Sequence, residues 1–192
     1  NIAYYQSDWD IAEENYLNSI NIRERLGDSI GMAKIYNNLG AIAYRRGNFS
    51  LAGEYYQKNL YIREGHNDKH GIATALNNLG VVNYTLGKLN QAEEHYLGAV
   101  SIRRELDDQL GTASTLHNLG QVASVQGELD LAMQYYNESL LIREAINDQA
   151  GVARVLNALG HDFTDLNKFD EALDYLNRSL EISETLGTKL ER

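Results

Sequence analysis

Asparagine side chains recur at a fixed interval in this chain of 192 residues, since Asn38, Asn78 and Asn118 stand 40 residues apart. An asparagine amide both donates and accepts hydrogen bonds, as a peptide backbone does. Asparagine is also a poor residue for a helix interior, so its repetition needs a reason. The spacing favours a ladder of amides that holds the backbone of a bound peptide. The alternatives are a solvated helix face that tolerates asparagine, or hydrogen bonding between helices.

The other reactive side chains give weaker signals. His117 and His161 could approach each other on neighbouring helices, but two histidines without a third ligand argue against a metal site. Cysteine is absent, which excludes disulfides and thiolate nucleophiles. No phosphate-binding glycine loop, nucleophile elbow or paired carboxylates can be identified. We therefore predict no enzyme activity, no cofactor and no metal.

Composition and charge narrow the classes of partner. The formal charge is −10, which disfavours nucleic acid and anionic membrane surfaces because both attract basic proteins. No segment approaches the roughly 18 apolar residues that span a bilayer. Without a signal peptide or cysteine, we expect a cytoplasmic protein, and a first residue of Asn1 suggests a piece of a longer chain.

The positions that could do chemistry sit in repeated elements. Glycine and alanine recur at the same 40-residue interval, which is typical of stacked helical or other supersecondary units. These columns are Gly40, Gly80, Gly120 and Gly160, and Ala12, Ala52, Ala92, Ala132 and Ala172. Within one unit, Met32, Ile35 and Leu39 share one helix face and Tyr55, Tyr56 and Leu60 share another. Each unit is therefore predicted to contain two amphipathic helices.

Polar and small residues mark the predicted helix ends. The predicted N-caps of the first helices are Asp28, Asp68, Asp108 and Asp148. Left-handed residues at Gly47, Gly87, Gly127 and Asn167 are predicted to end those helices. The predicted N-caps of the second helices are Asp10, Ser50, Asn90, Asp130 and Asp170, with capping boxes completed by Glu13 and Glu93. A truncated first helix at residues 1–5 precedes a second helix from about residue 10 to residue 26.

These residues resemble a known repeat family. Asn38, Leu39 and Gly40, together with Ala52 and Tyr56, are similar to the tetratricopeptide repeat, a helix-turn-helix unit, in its 40-residue form. That form resembles the repeats of spindle-orientation adaptors with Leu-Gly-Asn motifs, kinesin light chains and many bacterial regulators. The resemblance implies an all-α, right-handed α-solenoid, or superhelix. The expected organisation is one array: a partial repeat at 1–27, full repeats at 28–67, 68–107, 108–147 and 148–187, and a tail at 188–192.

The resemblance also implies that first helices line a concave groove, and helical geometry places the implied positions on one side of each helix. We call these positions the first-helix face. They are Lys34, Thr74, Ser114 and Arg154; Asn37, Asn77, His117 and Asn157; Asn38, Asn78, Asn118 and Ala158; Ala41, Val81, Gln121 and His161; and Arg45, Thr85, Val125 and Asp165. This face sums to +2 while the rest of the chain carries −12, so it could steer carboxylates.

The function predicted from these features is peptide recognition by a non-catalytic interaction module. The predicted peptide-binding residues are Lys34, Asn37, Asn38, Tyr44, Arg45, Asn77, Asn78, Tyr84, His117, Asn118, Gln121, Arg154, Asn157 and His161. The alternative is a self-assembly, spacer or sensor region of a larger signalling protein. Terminal repeats of solenoids usually carry a polar outer face, and the ends here do not, so end-to-end association is a further expectation.

Overall fold

The computed structural model describes the backbone of residues 2–190 and the side chains of residues 9–187. Within that part the chain forms helices joined by short turns, with no strand. The helices are α1 (Ile2–Leu26), α2 (Ser29–Arg45), α3 (Phe49–Gly65), α4 (Lys69–Thr85), α5 (Leu89–Glu105), α6 (Gln109–Gln126), α7 (Leu129–Ala145), α8 (Gln149–Asp165) and α9 (Phe169–Leu190). The chain divides into two compact units, unit 1 at residues 1–102 and unit 2 at residues 103–192. Among the described helices, none is long and apolar enough to cross a membrane.

The first helices of the repeats are α2, α4, α6 and α8, and their predicted starts are confirmed. The aspartate before each one accepts a hydrogen bond from a backbone N–H three residues later, at 2.8 to 3.0 Å. These bonds satisfy amide groups that a helix N-terminus leaves unpaired. The predicted left-handed residues are also confirmed, because Gly47, Gly87, Gly127 and Asn167 have φ between 58° and 81°.

The predicted N-caps of the second helices are wrong. Helix α3 begins at Phe49, and Asn48 caps it by accepting a hydrogen bond from the N–H of Leu51 at 3.4 Å. Helix α7 begins at Leu129 after Glu128, which makes no side-chain capping bond. A single residue separates each left-handed turn from the next helix, so the turn ends earlier than the polar residues suggested. The predicted caps, which lie inside helices, are Asp10, Ser50, Asn90, Asp130 and Asp170.

The predicted break near Asp10 is also wrong, because α1 runs continuously from Ile2 to Leu26. The capping boxes predicted at Glu13 and Glu93 are also wrong, because Asp10 and Asn90 are not N-caps. Glu13 instead accepts a hydrogen bond from Arg46 at 2.7 Å, and Asp10 accepts a second one from the same guanidinium at 2.5 Å. The two carboxylates therefore attach α1 to the end of α2.

The core explains why glycine and tyrosine recur together. A Cβ atom added at Gly80 would stand 2.4 Å from the ring of Tyr96, and Gly120 faces Tyr136 in the same way. Real Cβ atoms do not approach that closely, so glycine on a first helix makes room for the tyrosine ring of the following second helix. The rings of Tyr56, Tyr96 and Tyr136 are buried. Burial raises the pKa of Tyr56 to about 12, with the nearby Tyr44 adding to the effect.

Each second helix is joined to the next first helix by an ion pair. Arg63 contacts Asp68, the N-cap of α4, and Arg143 contacts Asp148, the N-cap of α8. Arg143 is itself buried. A cation near the C-terminus of one helix and an anion near the N-terminus of the next also interact favourably with the two helix dipoles.

Candidate peptide-binding surface

The first-helix face is accessible in both units, although its members differ in exposure. The exposed members among the predicted binding residues are Lys34, Asn38, Arg45, Arg154, Asn157 and His161. The half-buried ones are Asn37, Tyr44, Asn77, Asn78, Tyr84, His117, Asn118 and Gln121. Unit 1 carries the residues up to Tyr84, and unit 2 carries the rest. All three basic side chains of the face are thus open to solvent.

Asparagines in unit 1 bond to neighbouring helices. Asn78 on α4 donates from Nδ2 to Oδ1 of Asn37 on α2 at 3.0 Å. Asn38 donates to the hydroxyl of Tyr16 on α1 at 3.2 Å. These contacts give the asparagine column a packing role between helices. One bond engages only part of an amide with two donor hydrogens and two acceptor lone pairs, so the same side chains keep a capacity for a ligand.

Tyr44 joins α2 and α4 near the C-terminal ends of these two helices. Its hydroxyl lies 2.9 Å from Oγ1 of Thr85 on α4, and its ring packs against Phe49 with centroids 5.2 Å apart. We call the line of contacts from Asn37 and Asn78 to Tyr44 and Thr85 the α2–α4 seam. Its hydrogen-bonding groups are neutral and find partners across the seam.

A polar cleft of about 360 Å³ opens beside α1 and α2 in unit 1. Tyr16, Arg23, Lys34 and Asn38 are among its lining residues. The Nε atom of Arg23 is buried without a hydrogen-bond partner. Predicted binding residues Lys34 and Asn38 therefore share a concavity with a second cation.

The corresponding seam of unit 2, between α6 and α8, has different chemistry. His117 takes the position of Asn37, and Ala158 takes the position of its partner Asn78. The His117 ring packs on Tyr136 with centroids 5.6 Å apart, and its Nδ1 atom is buried without a partner. Burial, followed by the charges of Arg143 and Arg154, lowers the pKa of His117 to about 4. The imidazole is therefore neutral at pH 7.

Asp162 is the polar residue of the α6–α8 seam that sequence reasoning missed. It is only 5% exposed and stands where the other repeats place Ile42, Val82 and Val122. Its Oδ1 accepts a hydrogen bond from Ser124 at 2.7 Å, while its Oδ2 has no partner. Burial raises the pKa of this carboxyl, although the Ser124 bond opposes the effect. The departure from the aliphatic column was the signal that could have found it.

The described residues contain no group of three or more histidine, cysteine or acidic side chains arranged to hold a metal ion. What the surface offers is hydrogen bonding and charge. The repeated helix pairs define an all-α tandem-repeat protein.

The chain belongs to the tetratricopeptide repeat family, whose model matches residues 1–65, 31–105, 71–145 and 111–185. The starts of the last three matches differ by 40 residues, in agreement with the repeat length. This fold is generally a non-catalytic scaffold for protein interactions. No curated protein sequence matches it.

Several solved structures share this fold at low sequence identity. BtubC from P. vanneervenii is 24% identical with a TM-score of 0.87, over 96% of this chain and 76% of that one. Aspartyl phosphate phosphatase F from Bacillus subtilis is 16% identical with a TM-score of 0.85, over 95% of this chain and 49% of that one. A Rap protein complexed with Competence and Sporulation Factor is 18% identical with a TM-score of 0.79, over 94% and 51%. The chain thus spans about half the length of the last two, and all three likenesses concern the fold.

Proposed function

We propose that the first-helix face binds a peptide segment of a protein partner. The observation that carries the proposal is the exposure of Lys34, Arg45 and Arg154 on this face of a chain whose formal charge is −10. Exposed cations on an acidic protein attract the carboxylates of a partner. The likeness to a Rap protein complexed with Competence and Sporulation Factor supports a partner of this kind.

Amide side chains would supply the contacts to the peptide backbone. Asn37 and Asn78 are half-buried, so a peptide lying over them would remove their remaining hydrogen-bonding groups from water. A buried polar group that lacks a partner costs about 1 to 3 kcal/mol, so an amide that matches the peptide contributes to selectivity. Asn118 holds the equivalent position in unit 2 and would make the same kind of contact there. Tyr84, Gln121 and His161 are the proposed selectors of side chains.

The test uses a randomised peptide library selected on the purified chain, followed by affinity measurements on the enriched peptides. Replacing Asn38, Asn78 and Asn118 together by alanine should weaken peptide binding by about tenfold or more, since each lost pairing costs about 1 to 3 kcal/mol. Asn137→Ala and Asn177→Ala, at exposed positions on second helices, are the matched controls. Because Asn38 and Asn78 also bond between helices, the unfolding of every variant is measured in parallel. Unchanged affinity in a folded triple variant would reject the proposal.

A second candidate function, self-association, is favoured by the apolar surface of α9. Phe169, Leu173 and Leu180 are 62%, 58% and 55% exposed. The residue that corresponds to Leu180 in two other repeats, Leu60 and Val100, is buried. An exposed apolar face of this kind is typical of interaction surfaces.

Light scattering across a range of concentrations tests self-association. We expect the mass to rise with concentration and to return to that of a monomer in a Leu173→Glu, Leu180→Glu variant. A strictly monomeric mass at high concentration would exclude this function and leave peptide binding untouched. Oligomers that persist in the asparagine variant but vanish in the leucine variant would make α9 the interface.

A further inference from the structure

The α6–α8 seam contains a carboxylate in a column of aliphatic residues. Asp162 replaces the isoleucine or valine of the other repeats, and Ser124 replaces the tyrosine found at Tyr44 and Tyr84. Serine is smaller than the tyrosine that packs at the equivalent position of unit 1. The two substitutions therefore replace an aliphatic and an aromatic side chain by two polar ones beside the first-helix face.

No basic side chain from the facing helix neutralises this carboxylate. Helix α6 carries no lysine, arginine, aspartate or glutamate between Gln109 and Gln126. On α8 the neighbouring charge is Asp165, which raises the pKa of Asp162 further, and His161 acts in the opposite direction. The Oδ2 atom has no hydrogen-bond partner, so one acceptor of a buried acid is left unsatisfied. The local field favours a cation that can donate to this oxygen.

The first-helix face gives such a cation a route. At about 100° per residue, Asp165 lies roughly 60° around α8 from Asp162, and residues three apart are neighbours on a helix surface. Asp165 is exposed and belongs to the first-helix face. A long side chain lying on that face can thus meet Asp165 first and reach the edge of Asp162 behind it.

We propose that Asp162, Asp165 and Ser124 form a subsite that receives a basic side chain of the bound peptide, because a buried carboxylate oxygen without a partner borders an exposed carboxylate on the first-helix face. The guanidinium of arginine or the ammonium of lysine would donate to Oδ2 of Asp162 and to the carboxylate of Asp165. Ser124 keeps Oδ1 of Asp162 engaged and so directs Oδ2 to the ligand. The subsite rests on the proposed function and adds a preference for one class of side chain.

The experiment selects the same randomised peptide library on the wild-type chain, on Asp162→Val and on Asp162→Asn. The valine variant restores the residue of the aliphatic column, and the asparagine variant keeps the shape of the carboxyl while removing its charge. Asp170→Asn, an exposed acid on α9, is the matched control. We expect arginine or lysine to be enriched at one peptide position by the wild type and by the control, and to lose that enrichment in both Asp162 variants.

A neutral isostere then measures the subsite directly. Replacing the enriched arginine by citrulline, or lysine by norleucine, should weaken binding to the wild type by about tenfold or more and to Asp162→Val by less than about threefold, since charged hydrogen bonds contribute more than neutral ones. If the enriched peptides carry no basic residue whose enrichment depends on Asp162, the subsite is overturned but the proposed peptide-binding surface is not. Failure to enrich any peptide would overturn both.

Discussion

The α2–α4 seam of unit 1 and the α6–α8 seam of unit 2 use the same backbone positions for different chemistry. In unit 1, Asn78 bonds to Asn37 and Tyr44 bonds to Thr85, so neutral groups satisfy one another. In unit 2, the histidine nitrogen and one aspartate oxygen at the seam are buried without partners. Most packing columns are alike in both units, so the difference lies in Asp162, which departs from the aliphatic column, and in the residues that border the first-helix face. A repeat can therefore change the chemistry of this surface without changing how it folds.

The variant with the largest expected effect places a carboxylate in unit 1, at the position equivalent to Asp162. Val82 is 2% exposed, and Tyr44 on α2 occupies the position that Ser124 occupies on α6. In Val82→Asp the new carboxylate would lack the serine donor that Asp162 has, so we expect a loss of about 3 to 5 kcal/mol in the free energy of unfolding. Urea unfolding followed by circular dichroism gives this value.

Gln57→Asp is the control for Val82→Asp, since it adds the same charge at an exposed position of α3, outside the seam. It should change the free energy of unfolding by less than about 0.5 kcal/mol. Equal losses in the two variants would mean that charge alone, and not burial in the seam, sets the cost.

The reverse substitution tests whether unit 2 carries an avoidable cost. Asp162→Val removes a buried acid with an unpartnered oxygen and restores the aliphatic column, so we expect unfolding to require about 1 to 3 kcal/mol more free energy. Native-state hydrogen exchange at amides of α6 and α8 reports on the seam locally. Faster exchange in the valine variant would show that the Ser124 bond stabilises unit 2 more than the unpartnered oxygen destabilises it.

The two seams also show which parts of the molecule its sequence could predict. The repeat length and the aspartate caps follow from columns that hold the same residue in each repeat, because the same packing problem recurs. The second-helix caps failed because polar residues inside the first turn, such as Ser50 and Asp130, look like N-caps when only residue type is considered. Whether the repeats form the single predicted array with the predicted boundaries stays a prediction.

The site was harder to predict than the fold for a physical reason. The asparagine column was read as a ligand ladder, yet Asn38 and Asn78 also bond to Tyr16 and Asn37 on neighbouring helices. Sequence spacing gives the side of a helix that a residue occupies, but not the rotamer that selects its partner. Asp162 escaped prediction because the usual signal of a binding surface comes from positions that face solvent, whereas Asp162 is a polar residue in an apolar column.

The smallest predicted effect is on the pH dependence of stability, which distinguishes His117 from Asp162. An ordinary histidine has a pKa near 6.5, and His117 is lowered to about 4 in the folded chain. Between these values the unfolded state binds a proton that the folded state does not, so stability falls as the pH decreases through this window. We expect His117 to lower the free energy of unfolding by about 1 to 2 kcal/mol between pH 7 and pH 5.

Asp162 has the opposite sign, because its raised pKa makes the folded state bind a proton first and so gain stability as the pH falls. The His117 effect is therefore measured in an Asp162→Asn background, with hydrogen exchange of α6 at pH 7 and pH 5 corrected for the intrinsic rates. His117→Asn in the same background should remove the additional loss at pH 5. A loss that survives this substitution would place the acid sensitivity elsewhere in unit 2, and the α6–α8 seam would then differ from the α2–α4 seam through Asp162 alone.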